Sequence, residues 1–213
     1  MILQFHHGHP PSRVTQVEAR LVGADPHWLQ LRWRVEGSSA LVLPSAAGRG
    51  RADGLWQTTC FELFLKPEGG AGYVEFNLSP SQRWNAYLFD DYRQGMRAWD
   101  VPRAPVCTMR AGSTFAIFDA AIPRGGLPAE PCAMGLSAVI EEQGGAKSYW
   151  ALAHPETGAP DFHHAACFAS RLEAPRSPLN SVLIACSLTL NCADRWKASG
   201  WRWWRILPLS PPI

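Results

Sequence analysis

The stretch from Trp56 to Asp91 leaves this chain few ways to fold. It holds three short runs, Cys60–Leu65 (CFELFL), Tyr73–Leu78 (YVEFNL) and Trp84–Phe89 (WNAYLF). Lys66-Pro67, Glu68–Gly72 and Ser79-Pro80-Ser81 set them apart. Aromatic and aliphatic runs of this length, bounded by Gly, Pro and Ser, read as strands joined in hairpins. In Tyr73–Leu78 the alternation puts Tyr73, Glu75 and Asn77 on one face and Val74, Phe76 and Leu78 on the other, because successive strand side chains point to opposite sides. Glu62 and Asn77 are polar residues inside apolar surroundings. Polar groups fixed on a sheet beside Trp and Tyr suit a small polar ligand, such as a sugar.

The flanking sequence repeats the strand pattern. Val14–Val22, Trp28–Val35, a short Ala40–Leu43, Val106–Met109, Thr114–Ile122, Ala133–Ile140, Lys147–Leu152 and Cys167–Leu172 all read as strands. Ser45–Gly54 reads as a surface loop, Tyr92–Trp99 as a loop or one helical turn, and His154–His164 as an irregular loop. No long amphipathic helix and no internal repeat interrupts them. Strands about every 8–12 residues predict an all-β antiparallel β-sandwich, jelly-roll-like in form.

Composition narrows the function classes. At 46% hydrophobic and 18% charged the chain can bury a substantial core, and a net charge of +2 gives no reason to expect nucleic acid. No run approaches the roughly 20 apolar residues of a membrane span, and no export signal is legible, so the expected location is cytoplasmic. The six cysteines lack CxxC spacing and are expected as reduced thiols. His6-His7-Gly8-His9 reads as a mobile terminus rather than a metal site. No GxSxG, HExxH, phosphate-binding or dinucleotide-binding glycine pattern is present.

The order Trp56-Gln57-Thr58-Thr59-Cys60-Phe61-Glu62, with the Trp six positions before the Glu, resembles the ligand-side strand of family 9 carbohydrate-binding modules. The motifs LWQTTCFE, YVEFNLSP and DFHH resemble the DOMON-like branch of that superfamily over about residues 14 to 172. The resemblance implies a β-sandwich of the carbohydrate-binding-module/DOMON type. It places Trp56 on one face of a sugar ring and Phe162, or His163 beside it, on the other. Glu62 would accept hydrogen bonds from hydroxyls, and Asn77 stands where those modules carry an Arg. Trp150 and His164 complete the candidate ligand-binding set. Such a pairing is chemically sensible, since flat rings bury the C–H face of a pyranose while carboxylates and amides meet its hydroxyl rim. No catalytic or metal-ligating residue is assigned. Two alternatives stay open. One is a haem-binding domain, as in DOMON relatives, with Met96 or Met109 and His163 as ligands. The other is an enzyme acting on cell-wall sugars through Glu62 and Glu75.

Composition changes at the end of the chain. Residues 174–213 carry five basic residues, one acid and four of the ten Trp. This basic, Trp-rich tail reads as a segment outside the folded domain at 1–173. Back-translated from Leu179 to Pro212 and shifted in frame, it can yield a sequence resembling the start of exo-acting N-acetylmuramidases. The tail is therefore read as out-of-frame read-through. That neighbourhood suggests peptidoglycan fragments as the ligand class, in cell-wall recycling.

Overall fold

The computed structural model describes residues 1–174, so the expectations about the tail lie outside the described residues. Regular structure there consists of thirteen strands and four three-residue 3-10 turns. The strands are β1 (Ile2–Phe5), β2 (Gln16–Ala24), β3 (Trp28–Glu36), β4 (Gly50–Arg51), β5 (Cys60–Pro67), β6 (Tyr73–Leu78) and β7 (Arg83–Phe89). They continue with β8 (Arg97–Ala98), β9 (Val106–Ala111), β10 (Phe115–Pro123), β11 (Cys132–Glu141), β12 (Lys147–Ala151) and β13 (Ser170–Leu172).

Hydrogen bonding joins them in the order β4-β7-β6-β5-β11-β12-β1-β2-β3-β10-β9, with β8 beside β7 and β13 beside β11. β1 is the junction. Gln4 and Phe5 pair with β12, while Ile2 and Leu3 pair with β2. The path thus runs through one continuous sheet that curls on itself. The all-β expectation holds, but the strictly antiparallel one needs amending. β4 lies parallel to β7, because residues 50–51 reach that edge through a long connection and not through a hairpin.

Alternation decides what each strand buries. Phe61, Leu63 and Leu65 of β5, Val74, Phe76 and Leu78 of β6, and Leu136, Ala138 and Ile140 of β11 enter the main core. They meet Leu29, Leu31, Trp33 and Val35 of β3 and Phe118, Ala120 and Ile122 of β10 there. Phe61 and Phe118 stack at 4.3 Å and 14°, and Trp33 packs 5.5 Å from Phe61. Offset and tilted ring pairs of this kind contribute beyond their burial.

The alternate residues of β5 and β6 are buried too. All six residues of β6 are buried, because loops roof the outer face of this half of the sheet. A second apolar cluster, including Phe64, Tyr73, Phe89, Val139 and Phe162, lies beneath that roof.

Four sequence expectations fail locally. Residues 40–43 are not a strand: Ser38–Ala40 form a 3-10 turn and Leu41 makes a single bridge to Glu142. Ser45–Gly54 contains β4 and Tyr92–Trp99 contains β8, each only two residues long and invisible to periodicity. The amino-terminal segment is tied down, with β1 in the sheet and His6 only 2% exposed. Rings of His7, His9 and His154 surround His6. Among the described residues no group of His, Cys, Asp or Glu converges on a metal position. Cys60, Cys107, Cys132 and Cys167 are buried free thiols; Cys186 and Cys192 lie outside the described residues.

Candidate ligand-binding site

Strand register builds the floor of the site. Ser137 of β11 stands opposite Glu62 of β5, Glu62 opposite Asn77 of β6, and Asn77 opposite Asn85 of β7. One straight row of four polar side chains therefore crosses four neighbouring strands on the outer face. Beside it runs a second row, with Phe64 opposite Glu75 and Glu75 opposite Tyr87. Neighbouring side chains on one sheet face are close enough to interact directly and diagonally.

The floor is prearranged by its own hydrogen bonds. Ser137 Oγ donates to Glu62 Oε2 at 3.0 Å, and Asn77 Nδ2 donates to Glu75 Oε1 at 2.6 Å. Asn85 Nδ2 donates to Asp53 Oδ1 at 2.7 Å, and Tyr87 Oη to the same oxygen at 2.6 Å. Arg51 Nη1 donates to Asn85 Oδ1 at 2.7 Å and fixes that amide's orientation.

Three loops wall a hollow of about 660 Å³ above this floor, a volume within the usual range for small-molecule sites. The Asp53–Trp56 segment stands on one side, Arg93 and Met96 on another, and Pro160–His163 on a third. Gly54 at φ 69° turns the first loop so that Trp56 reaches the rim. Arg93 takes an unusual left-handed φ of 53°. Its guanidinium is bound to Asp161 at 2.6 Å, and its backbone N–H donates to Tyr73 Oη at 3.2 Å. Strained backbone held by several partners is a mark of functional sites. Tyr73 Oη also bonds His163 Nδ1 at 2.7 Å, linking the roof to β6.

Burial and crowding set the electrostatics. Burial, and then the neighbouring Glu75, push the Glu62 carboxyl well above the ordinary carboxylate range. Burial raises Glu75 to about 7, against the Asn77 hydrogen bond and the Arg93 charge. Burial holds His163 down to about 4, helped by Arg93. Burial and then Asp53 push the Tyr87 hydroxyl upward. Near neutral pH the hollow therefore offers a carboxyl pair holding a proton, a neutral imidazole and hydroxyl and amide groups. It can accept and donate hydrogen bonds and stack an apolar ring face.

The structure brings together five of the seven residues singled out from sequence. Trp56, Glu62, Asn77, Phe162 and His163 all line the hollow. Trp56 is 53% exposed at the rim, whereas Phe162 is 8% exposed and packs toward Tyr149 and His154 as wall. Trp150 does not join them. It is 2% exposed in the main core, with Nε1 bonded to Ser148 Oγ, since strand parity turns Tyr149 to the hollow instead. His164 lies outside as well, accepting the Ala166 N–H and capping the turn at Ala165–Cys167. The residues missed are Tyr87, Tyr149, Asp53 and Arg93. Alternation in WNAYLF and KSYWAL carried the first two, while the loop residues left no periodic signal.

The haem alternative gains no support from this geometry. Met96 shares the hollow with His163, but His163 Nδ1 is held by Tyr73 and Nε2 faces Glu75 at 3.9 Å. Met109 sits on β9 against the main core. Cys60 and Cys167 are not activated thiols. Burial raises Cys60 well above its usual range and Cys167 to about 12, the reverse of what a nucleophile needs.

No family model matches the sequence, and no curated protein does either. Among solved structures the chain is similar to a Bacteroides uniformis protein provisionally described as carbohydrate-binding. That pair is 16% identical with TM-score 0.47, covering 78% of this chain and 84% of that one. It is also similar to a family 9 carbohydrate-binding module from Caldicellulosiruptor kristjanssonii in complex with glucose. That pair is 12% identical with TM-score 0.49, covering 83% and 86%. A family 9 module of the same organism in complex with cellotriose is 14% identical with TM-score 0.40, covering 71% and 72%. Among the described residues no helix is long and apolar enough to cross a membrane.

Proposed function

We propose that this domain is a non-catalytic binder of a small sugar, held in the hollow over Glu62 and Asn77. The observation that carries the reading is the polar row Ser137–Glu62–Asn77–Asn85, set beneath aromatic walls and an exposed Trp56. Hydroxyls of a pyranose would meet the row, and its C–H face would rest on a ring. The DOMON-like, family 9 motifs support the same reading. A muropeptide fragment, met in the cytoplasm during cell-wall recycling, is the narrower ligand suggested by the sequence of the tail. Calorimetry of the full chain with glucose, N-acetylglucosamine and N-acetylmuramic acid tests it. Saturable binding by at least one sugar that is lost in Trp56→Ala is expected. Absence of binding by all three, and by glucosamine as well, would end the proposal.

Two acidic groups in one hollow also favour a second reading, hydrolysis of a glycoside. Turnover of an aryl glycoside that disappears in Glu62→Gln would establish it, and binding without turnover would dismiss it.

A further inference from the structure

Glu62 and Glu75 are 3% and 7% exposed, and among the described residues neither pairs with an Arg or Lys; the neutral imidazole of His163 stands 3.9 Å from Glu75 Oε2. Glu62 receives its hydrogen bond at Oε2 from Ser137, and Glu75 receives its own at Oε1 from Asn77. Among the described residues no donor is bonded to Glu62 Oε1 or Glu75 Oε2. The guanidinium in the wall, Arg93, is already bound to Asp161. Buried carboxylates without counter-charge are costly, so they either hold a proton or await a cation. Around them the rings of Trp56, Phe64, Tyr87, Phe89, Tyr149 and Phe162 line the hollow, and aromatic faces attract cations.

We propose that the hollow takes a sugar carrying a protonated amine, its ammonium placed between Glu62 and Glu75. This rests on the sugar-binding reading and specifies its ligand. An ammonium brings three donors, and Glu62 Oε1 and Glu75 Oε2 are acceptors open to two of them. An N-acetyl group removes the charge, and a lactyl carboxylate brings the opposite one. N-acetylated and muramic sugars are therefore the weaker ligands, so the amine sugar takes the place of the muropeptide as the narrower ligand.

Binding also moves a proton. Without ligand the carboxyl pair holds one near neutral pH, since burial raises both groups. The arriving ammonium replaces it. One O–H bond of a carboxyl breaks, its proton passes to buffer, and the total charge is unchanged. The other titratable groups around the pair are His163, Tyr73, Tyr87, Tyr149, Asp53 and Cys60, with Arg93 and Asp161 as a charged couple. His163 is already neutral, and burial raises Tyr73, Tyr87 and Cys60. The released proton therefore comes from the glutamates.

Isothermal titration of the full chain near neutral pH tests this, using glucosamine, glucose, N-acetylglucosamine and cyclohexylamine in two buffers of different ionisation enthalpy. Glucosamine is expected to bind at least about tenfold tighter than the other two sugars. Its heat should change with buffer by close to one released proton, and Glu75→Gln should erase the preference. Glucose binding as tightly as glucosamine overturns the amine and leaves the sugar reading standing. Cyclohexylamine matching glucosamine removes the sugar from both statements. Absence of any binding takes down both. Buffer-independent heats overturn the placement between the glutamates on the unmodified protein, whatever the variant does.

Discussion

Asn77 donates its side-chain amide to Glu75 Oε1 over 2.6 Å, two residues back along the same strand face. The bond stabilises the charged carboxylate and draws its pKa down against burial. Asn77→Ala should therefore raise Glu75 further above about 7. The variant should lose roughly 1–3 kcal/mol of stability in mildly alkaline solution and less in acid, where the neutral acid needs no donor. Denaturant melts across pH, with the Glu75 carboxyl followed by NMR, check both effects.

Glu75 and His163 pull the pH profile in opposite directions. Glu75 goes from 4.5 to about 7 on folding. Its contribution is complete below about pH 4.5 and is lost as pH rises through about 7. His163 goes from 6.5 to about 4. Its contribution is present above about pH 6.5 and is lost as pH falls toward about 4. Relative to wild type, Glu75→Gln should gain up to roughly 2–3 kcal/mol as pH rises across its window. His163→Gln should gain on acidification. A Glu75→Gln curve running parallel to wild type would count against the buried, proton-holding carboxyl.

Trp56 and Phe61 separate binding from stability. Phe61 is fully buried and stacked on Phe118, so Phe61→Ala should cost about 3–5 kcal/mol. Trp56 is 53% exposed, so Trp56→Ala should change stability by about 0.5 kcal/mol or less while reducing ligand affinity sharply. Thermal melts and calorimetry on both variants give the two readouts.

Gly135 marks where the roof comes closest to the sheet. A Cβ there would lie 3.1 Å from the Cys167 carbonyl oxygen and 3.4 Å from Phe64 Cβ. Gly135→Ala should cost about 1–3 kcal/mol by overpacking. It should also disturb ligand binding through Phe64, a residue of the hollow. Unaltered affinity and melting temperature would show that the roof is not seated there.

Glu142 is 1% exposed and accepts three backbone N–H groups, from Ser12, Arg13 and Val14. Glu142→Ala leaves these donors without their acceptor. A loss of roughly 2–4 kcal/mol is expected, together with early proteolytic cleavage near residues 12–14. Limited proteolysis followed by mass spectrometry reads the site of first cutting.

Much of this was legible in the sequence, for a physical reason. Alternation is a local property, so YVEFNL correctly put Tyr73, Glu75 and Asn77 on one face and the core residues on the other. The same parity rule would have assigned Tyr149 to the hollow and Trp150 to the core, where the structure has them. Trp150, not Tyr149, stands in the set singled out from sequence. The row Ser137–Glu62–Asn77–Asn85 was not legible, because it depends on register between strands distant in the chain. Nor was the roof, since Asp53, Arg93 and Pro160 belong to irregular segments fixed by tertiary contacts. β1 was missed because four residues beside a histidine run are too few for any period to show.

The strand that divides its pairing between β12 and β2 has a mechanical consequence. A force peeling Ile2–Phe5 away would unzip the backbone seam between the two halves of the sheet first. The floor strands β11, β5, β6 and β7 would stay laced to one another. In a pulling experiment the molecule should yield in two stages, with ligand raising only the second.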